Sequence, residues 1–287
     1  MSIASRWSWL RPALRICAVV LVVFALTPAL EAAELTATIA GRTHKYTTAA
    51  LLAHPAATTI TVAQDVSYKK PMTYRAVPAS VLLAGLPRED TVRFVAADGF
   101  AASISATLLL AQTEDAPRAY VAIEPANAPW PPLQAGAKET AGPFYLVWVR
   151  TDRGRISPEQ WPYRIASIED VAPVAVRFAG LAPTSVPAND PIRRGFAVFS
   201  ASCLPCHTLN LMGDARIGPD LNVPFSATEY LREDFLRMQI RNPQALRSWP
   251  GAKMPAFDVN AITERELDEL LAYLYYMARR KVEVPKG

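Results

Sequence analysis

Apolar and polar residues follow two different patterns along the chain, and the change falls near residue 180. Before that point, short runs rich in Val, other β-branched residues and aromatic residues are typical of half-buried strands. These runs lie at 35–40, 58–63, 91–96, 119–123 and 144–149, with short helical runs at 48–53 and 79–86. The pattern predicts an α+β domain over residues 34–180.

A stretch with three prolines and no periodicity, residues 178–191, separates this pattern from the next one. Proline stiffens an extended chain, so we expect a semi-stiff linker over residues 181–190. The pattern that follows is helical, and Asp190 and Pro191 suit the N-cap and the first position of a helix. The sequence therefore predicts a second, all-α domain over residues 191–287.

The last helix of this domain is predicted over residues 263–281. Thr263 and Glu266 have the spacing of a capping box, in which each side chain bonds the backbone N–H of the other residue. An apolar stripe at helical spacing is formed by Leu267, Leu270, Leu271 and Leu274. The expected fold class is thus two domains, α+β followed by all-α.

Residues 1–33 have the pattern of a secretory signal peptide, in which a positive segment precedes an apolar run and a small-residue end. Arg6, Arg11 and Arg15 carry the charge, and the apolar run over 16–30 is shorter than the ~20 residues that span a bilayer. An uncleaved anchor is the alternative. The leader has no Arg-Arg pair, which favours export of an unfolded chain to the periplasm.

Net charge argues against a nucleic-acid partner. The chain has a formal net charge of +4, and loss of Arg6, Arg11, Arg15 and Glu31 with the leader lowers it to +2. A nucleic-acid-binding domain carries a strong basic patch, which this charge does not provide. No later segment reaches membrane-spanning length. We therefore expect neither a nucleic-acid partner nor a membrane span after cleavage.

The run Cys203-Leu204-Pro205-Cys206-His207 carries the most specific chemistry in the sequence. Two thiols three positions apart can each add to one vinyl group of haem, and the adjacent histidine places an imidazole under the iron. Cys-x-x-Cys also serves as a redox disulfide or as half of a zinc site. Zinc needs two further ligands, whereas His44 and His54 lie in the first domain. We therefore predict one covalently attached haem c held by this run.

Further runs around this motif carry a family resemblance. They are Gly195-Phe196, Gly218-Pro219-Asp220-Leu221, Lys253-Met254-Pro255-Ala256-Phe257 and the terminal amphipathic helix. With them, the last ~100 residues resemble the single-haem class I cytochromes c. The resemblance implies that the carbonyl of Pro219 accepts the second N–H of His207, which fixes the tautomer of the ring. A simple turn proline is the alternative.

The sixth iron position has no further histidine in this domain to fill it, so a methionine, a water or an open site are the alternatives. Met238 and Met277 lie in helical patterns that favour core packing, and Met212 is close to His207. Met254 lies in a loop 47 residues after His207. The family's Met-Pro loop implies Met254 as the ligand, and a methionine that merely shields the haem edge is the alternative.

Iron with a histidine and a methionine ligand suits outer-sphere electron transfer, because both axial positions are filled. We therefore predict a periplasmic electron carrier without catalytic residues, whose partners are a redox protein donor and a redox protein acceptor. Three other functions stay open. They are the cytochrome-containing subunit of a periplasmic oxidoreductase whose N-terminal domain binds substrate or cofactor, a haem sensor or peroxidase with an open iron, and a thiol oxidoreductase.

A second resemblance lies in the first domain. It is carried by Tyr74-Arg75-Ala76-Val77-Pro78, Asp98-Gly99-Phe100 and Ala141-Gly142-Pro143. In this order, these runs resemble the molybdopterin-binding domain of the sulfite oxidase family over most of residues 35–170. That family ligates molybdenum with a cysteine, and residues 34–180 contain none. We expect a cofactor-less relative used for docking or ligand binding, and an unrelated α+β module is the alternative.

Overall fold

Alternating buried and exposed residues build two β-sheets in the first part of the chain. The structure is a computed structural model that describes residues 33–215, 217–249 and 252–283, so all but the last residue of the predicted leader lies outside it. The strands are β1 (Glu34–Ile39), β2 (Arg42–Thr47), β3 (Thr58–Val62), β4 (Met72–Pro78), β5 (Thr91–Ala96), β6 (Ala101–Ser105), β7 (Arg118–Ile123), β8 (Phe144–Val149) and β9 (Ile165–Val171).

Among the described residues, one sheet has five strands in the order β2-β1-β9-β5-β6, and the other has four in the order β3-β4-β7-β8. β1 and β9 pair in parallel, and the other neighbours pair antiparallel. One apolar core covers both sheets, and its largest fully buried side chains include Trp148, Tyr74, Tyr145 and Phe94. The predicted strand-rich region is therefore present, with four strands that the pattern did not indicate.

Short helices connect the strands, and longer ones follow them. They are α1 (Thr48–Leu52), α2 (Ala79–Leu82), α3 (Ala106–Leu109), α4 (Val174–Arg177), α5 (Pro191–Ser202), α6 (Ala227–Tyr230), α7 (Glu233–Arg241), α8 (Pro243–Leu246) and α9 (Glu264–Ala278). α2 is shorter than the predicted 79–86, and Gly85 beyond it has a left-handed φ of 89° that a helix cannot contain. The part of the chain that the structure describes holds no helix that is long and apolar enough to cross a membrane.

Local capping chemistry sets the two main helices of the second region. The Asp190 side chain accepts a hydrogen bond from the N–H of Ile192, and Pro191 begins α5. Thr263 and Glu266 form the capping box that begins α9. Both helix starts confirm the sequence prediction.

Residues of the expected linker pack against α9. Leu181 is fully buried in the helical core, and its carbonyl accepts a hydrogen bond of 2.9 Å from the hydroxyl of Tyr273. The Oγ of Ser185 lies 2.8 Å from the hydroxyl of Tyr276. This stretch is therefore held at two points along α9.

Salt bridges join the sheet region to the helical region, and the chain from Ala32 onward is one compact unit. The Arg93 guanidinium on β5 lies 2.6 Å from Asp214 and 2.5 Å from Glu169, and Arg177 also pairs with Asp214. A second contact joins Arg155 to Glu266, the capping-box residue of α9, at 2.5 Å. The Asp214 side chain is only 17% exposed, so its two partners share one largely buried carboxylate.

α5 and α9 cross at a glycine. A Cβ on Gly195 would lie 1.9 Å from the backbone oxygen of Glu269, a distance that no real side chain tolerates. The rings of Phe196 and Phe199 pack against Tyr273 on either side of this contact. The absence of a side chain at position 195 therefore sets how closely the two helices approach.

We expect Asp214→Ala to lower the free energy of unfolding by about 3 kcal/mol, because it leaves two largely buried guanidinium groups without their shared carboxylate. Urea denaturation of the full chain measures this. Asp152→Ala is the matched control, since Asp152 forms an exposed pair with Arg153 and its loss costs about 0.5 kcal/mol or less. Equal effects of the two substitutions would contradict the buried role of Asp214.

We expect Gly195→Ala to lower the free energy of unfolding by about 1–3 kcal/mol, the usual cost of overpacking. At an ordinary helix position the same change stabilises by up to about 1 kcal/mol. The sign in urea denaturation therefore decides between the two situations, and a gain in stability would show that the crossing is not tight. Ala197→Gly on the exposed side of α5 is the control and should cost about 0.5–1 kcal/mol.

Candidate functional site

The Cys-x-x-Cys-His run continues the path of α5 for one more turn. The N–H of Cys206 and the N–H of His207 both donate to the carbonyl of Cys203, at 3.1 and 2.9 Å. In a helical turn of this kind, side chains three and four positions apart lie on one face. Cys203, Cys206 and His207 accordingly line one cavity.

This cavity has a volume of about 730 Å³, within the range of small-molecule and cofactor sites. Pro219 and Met254 line it together with the three motif residues, so the structure brings all five predicted site residues into one place. Much of the remaining wall is apolar and comes from Leu221, Leu236, Ile240, Phe257, Leu270 and Leu274. A flat apolar cofactor with two covalent attachment points is compatible with such a wall.

His207 is held by its neighbours on the chain. Its Nδ1 lies 2.8 Å from the carbonyl oxygen of Pro219, and because a carbonyl can only accept, Nδ1 carries the proton of this bond. A Cβ on Gly218 would lie 2.3 Å from a carbon of the His207 ring, so the ring occupies space that only glycine leaves open. Burial lowers the pKa of His207, against the opposing effects of the Pro219 carbonyl and the Asp220 carboxylate. The imidazole therefore stays neutral at pH 7, with Nε2 available as a metal ligand.

The two thiols lie in an environment that keeps them protonated. Burial raises the pKa of Cys203 and of Cys206 to about 12, and the carboxylate of Glu159 adds to both shifts. Reactive cysteines have the opposite shift, because the thiolate is the nucleophile. This environment does not favour the thiol oxidoreductase alternative.

Met254 faces the cavity from the loop after α8. Its Sδ lies 3.4 Å from the Nε2 of Gln239 on α7, so an amide N–H donates to the sulfur. The other methionines named as alternatives lie elsewhere: Met238 is 42% exposed on α7, and Met277 is buried in the core at α9. Met212 packs against Gly180. Of these four, Met254 is the one that lines the cavity.

Three cavity residues were not predicted from the sequence. Gln239 has the helical spacing of any surface residue of α7, and nothing in its neighbourhood signals a sulfur partner. Glu159 and Asp98 come from the sheet region and reach the cavity beside the cysteines. Their position depends on how the two regions pack, for which a single sequence carries no local signal.

The side chains present fit a haem. The cavity combines two thiols, a neutral imidazole with one ring nitrogen already bonded, and a thioether, inside a largely apolar wall. These are the donor types that hold a c-type haem.

Comparison with protein families gives an independent result for this region. The family described as cytochrome C oxidase, cbb3-type, subunit III has a sequence model that matches residues 190–274, a minor part of the chain. Comparison with curated proteins finds no match. Residues 190–274 are therefore similar to a cytochrome c domain in sequence and supply most of the lining of the cavity. The match supports a c-type cytochrome domain in this region, and such a domain implies haem binding and electron transfer.

Proposed function

We propose that this protein carries single electrons between two redox proteins through one haem c attached to Cys203 and Cys206. The observation that carries the proposal is the cavity that joins both thiols, His207 and Met254. When bound, a haem supplies an iron that gains and loses one electron. The side chains of the cavity determine how the haem would be held and what surrounds it.

His207 and Met254 are the residues that would hold the iron of the haem. The Pro219 carbonyl fixes the tautomer and orientation of the His207 ring, which leaves Nε2 for the iron and strengthens it as a ligand. The Gln239 amide holds the Met254 sulfur at the cavity wall. If both residues bound the iron, no position would remain free for a substrate, and the chemistry that the haem would supply is transfer of single electrons at its edge.

The proposed location is the periplasm, reached through the leader at residues 1–33. What supports it is the charge and apolar pattern of that segment together with its small-residue end. Free thiols are oxidised in that compartment. In the proposed protein none is left, since Cys17 leaves with the leader and Cys203 and Cys206 are joined to haem. The mature chain then retains no free thiol.

Residues 34–180 are proposed to form an accessory domain for docking or ligand binding, related to the molybdopterin-binding domain of sulfite oxidases but without its metal. The absence of cysteine in these residues supports the loss of molybdenum. The alternative function is a cytochrome-containing subunit of a periplasmic oxidoreductase, with substrate or cofactor in this domain. One observation favours this alternative function. The N–H of Ala101 donates to the carbonyl of Pro205 within the Cys-x-x-Cys-His run, so the two regions meet at the site.

We expect Met254→Ala to abolish the absorption band of methionine-ligated ferric haem and to allow rapid binding of carbon monoxide to the reduced protein. Optical spectra of the purified full chain measure both. Met238→Ala is the control, because this exposed methionine on α7 should leave the spectrum unchanged. Retention of the band in Met254→Ala would contradict the proposed ligand. A haem-stained denaturing gel checks the covalent attachment in the same samples.

Metal analysis of protein purified from its native host tests the accessory domain. We expect about one iron per chain and no stoichiometric molybdenum, because residues 34–180 provide no thiolate to bind molybdenum. Molybdenum at one atom per chain would contradict the cofactor-less proposal and support the oxidoreductase subunit.

A further inference from the structure

One face of the sheet region packs directly on the haem motif. The N–H of Ala101, the first residue of β6, donates to the carbonyl of Pro205 at 3.2 Å. The Oγ atoms of Ser157 and Ser202 lie 3.3 Å apart. The short helical turn Pro158–Gln160 follows Ser157, so this turn is anchored beside the end of α5.

The same face contributes two carboxyl groups to the cavity. Glu159, in the anchored turn, and Asp98, in the turn between β5 and β6, line the cavity together with Cys203 and Cys206. The negative charge of Glu159 acts on both thiols, and that of Asp98 acts on Cys206. A porphyrin joined to these two sulfurs would have its attached edge next to this part of the cavity wall, where both carboxyl groups lie.

We propose that Glu159 lowers the reduction potential of the haem and binds one proton when the haem is reduced, with Asp98 adding a smaller effect of the same sign. This inference rests on the proposed function, because it requires a haem attached to Cys203 and Cys206. It assigns to the N-terminal region a direct influence on the redox site. A charge in the N-terminal region would thus change the potential of a haem held by the C-terminal region.

The direction of the effect follows from Coulomb's law. A carboxylate next to the redox site stabilises the more positive, oxidised state, and its effect is larger where water is excluded. A one-electron donor protein supplies the electron, and water supplies the proton. When one electron enters the site and one proton joins the Glu159 carboxylate, the net charge of the buried region does not change. Burial of uncompensated charge is thereby avoided.

Glu159 is suited to this exchange near neutral pH. Burial raises its pKa to about 7, and the positive charge of Lys69 acts in the opposite direction. The remaining titratable groups around it are Tyr163, Cys203 and Cys206, with Asp98 beside Cys206. Reduction makes the site less positive and therefore raises the pKa of Glu159. Between the pKa of the oxidised state and that of the reduced state, the potential must fall as pH rises.

Asp98 contributes less because of its exposure. It lies in the exposed turn between β5 and β6, and its Oδ1 accepts a bond of 3.2 Å from the N–H of Phe100. Water and salt screen an exposed charge.

Redox titration of the haem-loaded full chain from about pH 5 to about pH 9 tests the proposal, since this range extends two units on either side of pH 7. In the wild type, the midpoint potential is expected to fall as pH rises through neutrality. Glu159→Gln should equal the wild type at about pH 5, lie above it at about pH 9, and lose the fall. Asp98→Asn should raise the potential by a smaller amount and keep the fall. Glu114→Gln, an exposed carboxylate of the same region outside the cavity, is the control and should match the wild type.

Each outcome of the redox titration either supports or overturns the proposal. A wild-type potential that does not change with pH overturns the proposal without any variant, and so does a Glu159→Gln protein that titrates like the wild type. If Glu159→Gln fails to acquire haem, Glu159→Asp must retain the pH-dependent fall, and its loss would overturn the proposal. A haem-stained denaturing gel distinguishes failure of the Glu159 proposal from failure of the proposed function. Wild type without covalent haem ends both proposals, whereas loaded wild type with a flat potential ends only this one.

Discussion

The close backbone contact between α5 and α9 at Gly195 is the constraint on which the haem site depends. Because no side chain separates the helices there, the end of α5 is fixed relative to α9. The turn that carries Cys203, Cys206 and His207 continues from this end, and α9 supplies Leu270 and Leu274 to the wall of the same cavity. The spacing of the motif determines which chemistry is available, and the helix crossing determines where it is located.

The features that could be predicted from the sequence are those with local causes. Capping at Asp190 and at Thr263 depends on residues two or three positions away, and both helix starts agree with the prediction. The haem motif is equally local. The strands β3 and β8, five and six residues long, could be predicted because they are rich in β-branched and aromatic residues. In each case the information lies within one or two turns of chain.

The features that could not be predicted have distant causes. β2 is an edge strand whose first four residues are all exposed, so it shows no apolar alternation. β9 pairs in parallel with β1 across most of the sheet region, and such pairing has no local signature. The position of Glu159 at the cavity also has a distant cause. Nothing near it in the sequence distinguishes it from any loop carboxylate, because its role depends on docking against residues more than 40 positions later.

The hydrogen bond between Ala101 and Pro205 has a consequence for biogenesis. If the chain is exported unfolded, residues 34–180 cross the membrane before the haem motif does and can fold first. Once β6 docks on Pro205, this residue, one of the two between the cysteines, is covered by protein. If haem is attached as proposed, an attaching enzyme would reach this segment more easily before the two regions close on each other. On the proposed function, the order of haem attachment and docking would therefore affect how much of the protein carries haem.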